Sequence, residues 1–173
     1  MSKTIRNEAS IVGDEMVDRV RSAIEHRATW MGLMCLEARE AGADWEGIAR
    51  RAVRATGGLH GERILESLVE DDGIPEFTEA FIPELTRKLF EMDVREVSKE
   101  RLDIEFHYCP LVRAWQKIGL DGEMIATLCD IAMDGDRGIA ETAGLDFRLG
   151  ETIAKGHHVC EVRFSKPRSG EGD

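Results

Sequence analysis

The hydrophobic period of this chain changes once, and that change limits the fold more than any other feature. Up to about residue 90, apolar residues recur at helical spacing; beyond it, they begin to alternate with polar ones. Val17, Val20, Ile24, Ala28, Met31, Cys35 and Ala38 predict one long amphipathic helix over 15–41, closed by Gly42. Asp44 is placed to cap a second helix through Trp45, Ile48 and Val53 that breaks at Gly57-Gly58. Ile64, Leu65, Leu68 and Val69 predict a third, ended by Asp71-Asp72-Gly73. Phe77, Phe81, Leu85 and Leu89 mark a fourth, inside which Pro83 forces a kink or a fresh start.

The second half reads differently. Strand signals fall at Val94 to Val97 and Leu102 to Cys109, then in the alternations Leu145-Phe147-Leu149 and Cys160-Val162-Phe164, with Lys155-Gly156 as a hairpin turn. Short helices are expected through Leu111, Val112, Trp115 and Ile118, and through Ile125, Leu128, Cys129 and Ala132, the latter broken by Asp134-Gly135-Asp136. The fold class is therefore α+β: a helical N-terminal half packed on a small antiparallel sheet with a C-terminal hairpin. The expected division is a flexible segment over 1–14, one domain over 15–165 (helical over 15–92, strand-helix-hairpin over 93–165), and a flexible tail over 166–173.

Charge and composition remove several functions. Lys plus Arg is 23 against 34 Asp plus Glu, a net charge of -11 that argues against a nucleic-acid partner. No apolar run approaches the ~20 residues needed to span a bilayer, so no membrane partner is expected. Met1 to Ser10 is polar and lacks the apolar core of a secretory signal. A cytoplasmic location follows as the expectation, and with it four free thiols, Cys35, Cys109, Cys129 and Cys160.

The stretch from Leu102 to Cys109 carries the chemistry. If it is one strand, its parity puts Leu102, Ile104, Phe106 and Tyr108 on one face and Asp103, Glu105, His107 and Cys109 on the other. Pro110 stops the strand. Read alone, Cys129 and Cys160 are small core residues in phase with apolar neighbours, Asp136 is a helix cap, and Cys35 is structural. His157 and His158, beside a glycine, read as exposed loop residues. His107, Cys109, Cys129 and Cys160 would form a Cys3His set for zinc or iron. Yet the gaps of 20 and 31 residues between the cysteines contain no local ligand pair, so no cofactor is expected.

Three words of sequence resemble a known family: His-Tyr-Cys-Pro-Leu-Val at 107–112, Leu-Cys-Asp-Ile-Ala-Met-Asp-Gly-Asp-Arg-Gly-Ile-Ala at 128–140, and Glu-Thr-Ile-Ala-Lys-Gly-His-His-Val-Cys-Glu-Val-Arg-Phe at 151–164. They resemble the L-2-amino-thiazoline-4-carboxylic acid hydrolases. The resemblance covers most of 15–165, and its motif positions fall on Cys109, Cys129, Asp136, Thr152, Gly156, Cys160 and Arg163. It implies opening of a cyclic isothiourea to an N-carbamoyl amino acid. On that reading Cys109 is the nucleophile, His107 its partner or general base, and Asp136 or Glu105 the carboxylate that holds an amidinium. A direct attack by water, with His107 or Glu105 as base, fits the same residues. Cys129, Thr152, Cys160, Arg163 and Trp115 are the expected substrate-binding residues. The alternative is a small-molecule-binding or sensor domain on the same scaffold, without turnover. A homodimer is expected to pair through the apolar seam of the helix over 15–41.

Overall fold

The computed structural model describes residues 4–69 and 73–167. The helical half begins with α1 (Glu15–Glu40), whose N-cap Asp14 accepts the amide hydrogens of Met16 and Val17, both at 3.1 Å. Its seam of Val17, Ala28, Gly32 and Cys35 is buried, and Trp115 closes over Gly32. The seam expected to pair two copies therefore packs inside one chain.

The second helix does not break where two glycines suggested. α2 (Trp45–Ser67) is capped by Asp44 as expected but runs straight through Gly57 and Gly58. Both glycines, with Gly61, lie against α7 (Asp134–Thr142); the backbones of Gly57 and Gly135 pass so closely that a Cβ at Gly57 would fall 2.0 Å from the Gly135 carbonyl oxygen. What reads locally as a helix breaker is a close helix crossing. The third expected helix is the end of α2, and Asp71 and Asp72 lie outside the described residues. Pro83 does start a new helix: α3 (Ile74–Phe81) ends before it, and α4 (Glu84–Phe90) begins on it.

Four strands follow, β1 (Met92–Val97), β2 (Arg101–Phe106), β3 (Asp146–Leu149) and β4 (Cys160–Ser165). They form one antiparallel sheet in the order β1-β2-β4-β3, so two hairpins meet where β2 pairs with β4. The chain between β2 and β3 forms α5 (Pro110–Lys117), α6 (Gly122–Ala132) and α7. Period two sorts the sheet. Leu102, Ile104, Phe106, Cys160, Val162 and Phe164 are buried on the inner face, where they share one core with residues of α1, α3, α5 and α6. At its centre Phe164 is fully buried and meets Phe77, Phe81 and Phe147 at centroid distances of 5.6, 5.0 and 5.3 Å. Burial of one such ring stabilises by roughly 1.5–3 kcal/mol. The outer face is charged, with Asp103 opposite Arg163 and Glu105 opposite Glu161 across the β2–β4 ladder.

The segment before α1, expected to be flexible, is tied to the domain. Asn7 bonds the backbone of Cys109, Ile5 accepts from Gln116, and Ser10 and Ile11 donate to Glu91. At the other end Lys166 bonds Glu100, and residues 168–173 of the expected tail lie outside the described residues.

Candidate active site

Parity decides which side chains can share a site only while the strand lasts, and β2 ends at Phe106. His107 stays with the outer face. Its Nε2 lies 3.1 Å from Asp93 Oδ2 and 4.0 Å from Glu105 Oε2, in a ring 40% exposed. Tyr108 turns inward, and Cys109 becomes the N-cap of α5, packed against the core. The acid-imidazole-thiol face read from the sequence is thus divided: Asp103, Glu105 and His107 lie outside, and Cys109 lies within. The separation follows from the turn that Pro110 needs to open a helix.

Inside, three thiols from three elements lie near enough for charge on one to act on another. Cys109 precedes α5, Cys129 lies on the inner side of α6, and Cys160 begins β4. Burial pushes the Cys109 thiol up to about 11, against the pull of the Val112 and Leu111 amides in the first turn of α5. Burial, and then the charge of Cys109, raise Cys160 to about 12, although its Sγ accepts the Ile153 N–H at 3.2 Å. Cys129 is raised well above its ordinary value by burial and by the charges of Cys109, Cys160 and Asp130, while Lys155 acts the other way. Burial thus favours the neutral form of all three thiols, and Cys129 and Cys160 each feel the charge of another thiol.

The surroundings are built to hold Cys109 still. Asn7 accepts the Cys109 N–H on Oδ1 at 2.9 Å and donates from Nδ2 to the Cys109 carbonyl at 2.8 Å, as a residue only 6% exposed. Next to Ile153, the Thr152 hydroxyl is buried with no hydrogen-bond partner among the described residues. An orphaned hydroxyl of this kind costs about 1–3 kcal/mol until something bonds it. The short 3-10 turn Ile153–Lys155 that follows packs on α6. Sequence reading missed Asn7 and Lys155. Nothing in a polar leader signals a contact 102 residues away, and Lys155 read as turn chemistry.

The other expected site residues stand elsewhere. Arg163 grips Asp103 with Nε at 2.6 Å and Nη2 at 3.0 Å on the outer face, turned away from Cys160. Trp115 is fully buried and donates to the Ala28 carbonyl at 2.9 Å, so it pins α5 to α1. Asp136 opens α7 and is not among the charges that act on Cys109 or Cys160. It keeps some surface, yet burial raises its carboxyl to about 7, opposed by its own amide and by Arg137. Between the ordinary 3.8 and about 7 the folded chain therefore holds a proton that the unfolded chain has released. Stability then falls as pH rises through that window, by up to ~1.4 kcal/mol per unit. Asp136→Asn is expected to flatten this limb and raise the melting temperature at pH 8 relative to wild type. Parallel melting curves of the two proteins from pH 4 to 8 would contradict the assignment.

Among the described residues, the ligand-type side chains whose atoms converge within 4.8 Å are Asp93, Glu105 and His107, on the exposed outer face. The thiols do not join such a group. The outer face also carries a depression of about 280 Å³ lined by Arg95, Asp103, Glu105, Arg148, Glu161 and Arg163. No helix among the described residues is long and apolar enough to cross a membrane.

The family model of the L-2-amino-thiazoline-4-carboxylic acid hydrolases matches residues 21–164. A crystal structure of trafficking protein particle complex subunit 3 from Naegleria fowleri, covalently bound to palmitic acid, has the same fold at a TM-score of 0.54. It is 13% identical, and the match covers 82% of this chain and 93% of that one. No curated protein matches the sequence.

Proposed function

Since the chain belongs to the L-2-amino-thiazoline-4-carboxylic acid hydrolase family, we propose that it opens a small cyclic amidine or isothiourea with Cys109 as nucleophile. The observation that carries this reading is the set of buried or half-buried thiols Cys109, Cys129 and Cys160 lying near enough for their charges to act on one another, with the Thr152 hydroxyl, unpartnered among the described residues, next to Ile153, whose amide bonds Cys160. A thiol with a pKa of about 11 is not a nucleophile at neutral pH by itself. A basic amidine bound against it supplies what is missing, by taking the Cys109 proton on a ring nitrogen. The thiolate then attacks the carbon between ring nitrogen and sulfur, the ring C–S bond breaks, and the ring sulfur leaves and is protonated. Water attacks the resulting isothiourea carbon, Cys109 departs with its bonding electrons, and the product is an N-carbamoyl amino acid with a free thiol.

The helix-terminal amides of Leu111 and Val112 stabilise the thiolate in this scheme. Lys155, whose charge already acts on Cys129, is the cation for a substrate carboxylate. His107, Glu105 and Arg163 lie on the outer face and take no part. Asp136 acts through pH-dependent stability rather than at the reacting atoms.

The test is a screen of thiazoline, oxazoline, hydantoin and thiohydantoin carboxylates with wild type, Cys109→Ala and Lys155→Ala. Cys109→Ala is expected to lower kcat by roughly a thousandfold or more, and Lys155→Ala to raise KM with less effect on kcat. Unchanged turnover in Cys109→Ala would sink the covalent route in favour of direct attack by water. If wild type binds such rings without ever turning them over, and Cys109→Ala binds them equally, the chain is a small-molecule-binding domain instead. The high thiol pKa is the observation that favours this second reading.

A further inference from the structure

With its inner seam spent on α5, α1 still presents large apolar side chains to solvent. Trp30 is 67% exposed, Met34 64% and Leu33 46%. Side chains of this size clustered on one helix face mark a contact surface more often than chance exposure. Their neighbours along the helix say what the contact is. Ala23, Arg27, Trp30, Met34, Glu37 and Ala41 are all exposed and follow one another at intervals of 4, 3, 4, 3 and 4 residues. That is the spacing of a coiled-coil seam, on the side of α1 away from the core.

We propose that this face pairs with the same face of a second copy, as an antiparallel α1–α1 contact about a two-fold axis midway between Trp30 and Met34. The order of residues is self-complementary under that operation and under no parallel one. An antiparallel two-fold there sets Trp30 against Met34 of the other copy, Arg27 against Glu37, and Ala23 against Ala41. Each layer occurs twice by symmetry, as an isologous interface requires. The central layers join an indole to a thioether, a favourable sulfur–aromatic contact. The flanking layers join opposite charges. Neither Arg27 nor Glu37 makes an ion pair or side-chain hydrogen bond within the chain among the described residues, so both are available. The small Ala23 and Ala41 let the helix ends approach closely. A parallel pairing would set Arg27 on Arg27 and Glu37 on Glu37, and is disfavoured by like charge. A chain carrying a net charge of -11 needs such local pairs to offset its general repulsion from a copy of itself.

The experiment is sedimentation analysis of the full chain over a concentration series in reducing buffer. Wild type is expected to dimerise below about 100 µM. Trp30→Ala and Met34→Ala should each weaken the dimer by about a hundredfold, since each removes both copies of a central layer. Arg27→Glu and Glu37→Arg should each weaken it by about tenfold, whereas the double variant Arg27→Glu/Glu37→Arg should restore it. All these residues are exposed, so melting temperatures taken at concentrations where wild type is monomeric should stay at the wild-type value and confirm that each variant is folded. A chain that stays monomeric throughout overturns the proposal and leaves the face to a different protein. A dimer indifferent to Trp30→Ala and Met34→Ala overturns it as well, and a double charge variant no better than the singles overturns the antiparallel register.

Discussion

Gly57→Ala is expected to lower the stability of this protein by about 2–4 kcal/mol, although the same change in an isolated helix would stabilise it by roughly 1 kcal/mol. The tertiary effect outweighs the local one because of what the new methyl would meet. A Cβ at Gly57 would fall 2.0 Å from the carbonyl oxygen of Gly135, and one at Gly138 would fall 2.3 Å from that of Arg54. Both obstacles are backbone, so no rotamer change relieves them, and α2 must separate from α7. Gly58 supplies the control. One residue further on, its Cβ would meet Thr142 Oγ1 at 3.7 Å, an ordinary contact, so Gly58→Ala should be neutral or stabilising by up to ~1 kcal/mol. Urea denaturation of the two variants beside wild type measures the contrast. If Gly57→Ala is as stable as Gly58→Ala, the crossing is not tight enough to matter.

Arg21→Ala is expected to be at least as damaging, about 3–5 kcal/mol, because it breaks a buried ion pair that also closes the N-terminal segment. The Arg21 guanidinium donates to the carbonyls of Ile11, Lys88 and Leu89 at 2.7, 3.0 and 2.9 Å and to Glu91 at 3.0 Å, and lies 4.5 Å above the Tyr108 ring. Side-chain exposure is 6% for Arg21 and 8% for Glu91, so removal of either leaves the other charged and poorly hydrated. Lysine cannot replace the fork, and Arg21→Lys should recover little. Burial acts to raise the Glu91 pKa, but hydrogen bonds from Ser10, Ile11 and Arg21 outweigh it and hold the carboxyl below its ordinary range. The sign follows. Stability from Glu91 is complete above the ordinary glutamate pKa and is lost as pH falls through the lowered value, so Glu91→Gln should show a weaker acid limb. A double-mutant cycle of Arg21→Ala with Glu91→Gln should reveal strong coupling, and additive losses would show that the two do not act as a pair.

Much of the architecture was legible because it is locally encoded. The seam of α1, the cap at Asp44, the restart at Pro83 and the alternation in β4 each depend on residues a few positions apart. Errors arose where one local signal has two meanings. Gly57-Gly58 reads as a break by propensity and as a crossing by packing, and only the presence of Gly135 and Gly138 on the partner helix separates the two. The parity of Leu102 to Cys109 was correct as far as Phe106 and failed at the next turn of chain, which moved Cys109 to the opposite side from His107. Cys129 and Cys160 were each legible as core residues, whereas Cys109 read as the end of a polar strand face. The proximity of the three was not legible, because α5, α6 and β4 meet only through the tertiary fold. Asn7 gave no signal, since a polar residue in a polar segment looks the same whether it is solvated or clamped to a cysteine.

That clamp determines when the site can exist. Asn7 precedes Cys109 by 102 positions, and Cys160 belongs to a strand later still in the chain. Contacts so distant along the chain pay their loop-closure entropy before they return any stability, and so form late. No fragment that stops short of β4 contains the set. Removal of Asn7 or of β4, even with most of the helices spared, would take away part of the frame around Cys109, so the thiol centre matures only when segments far apart along the chain have come together.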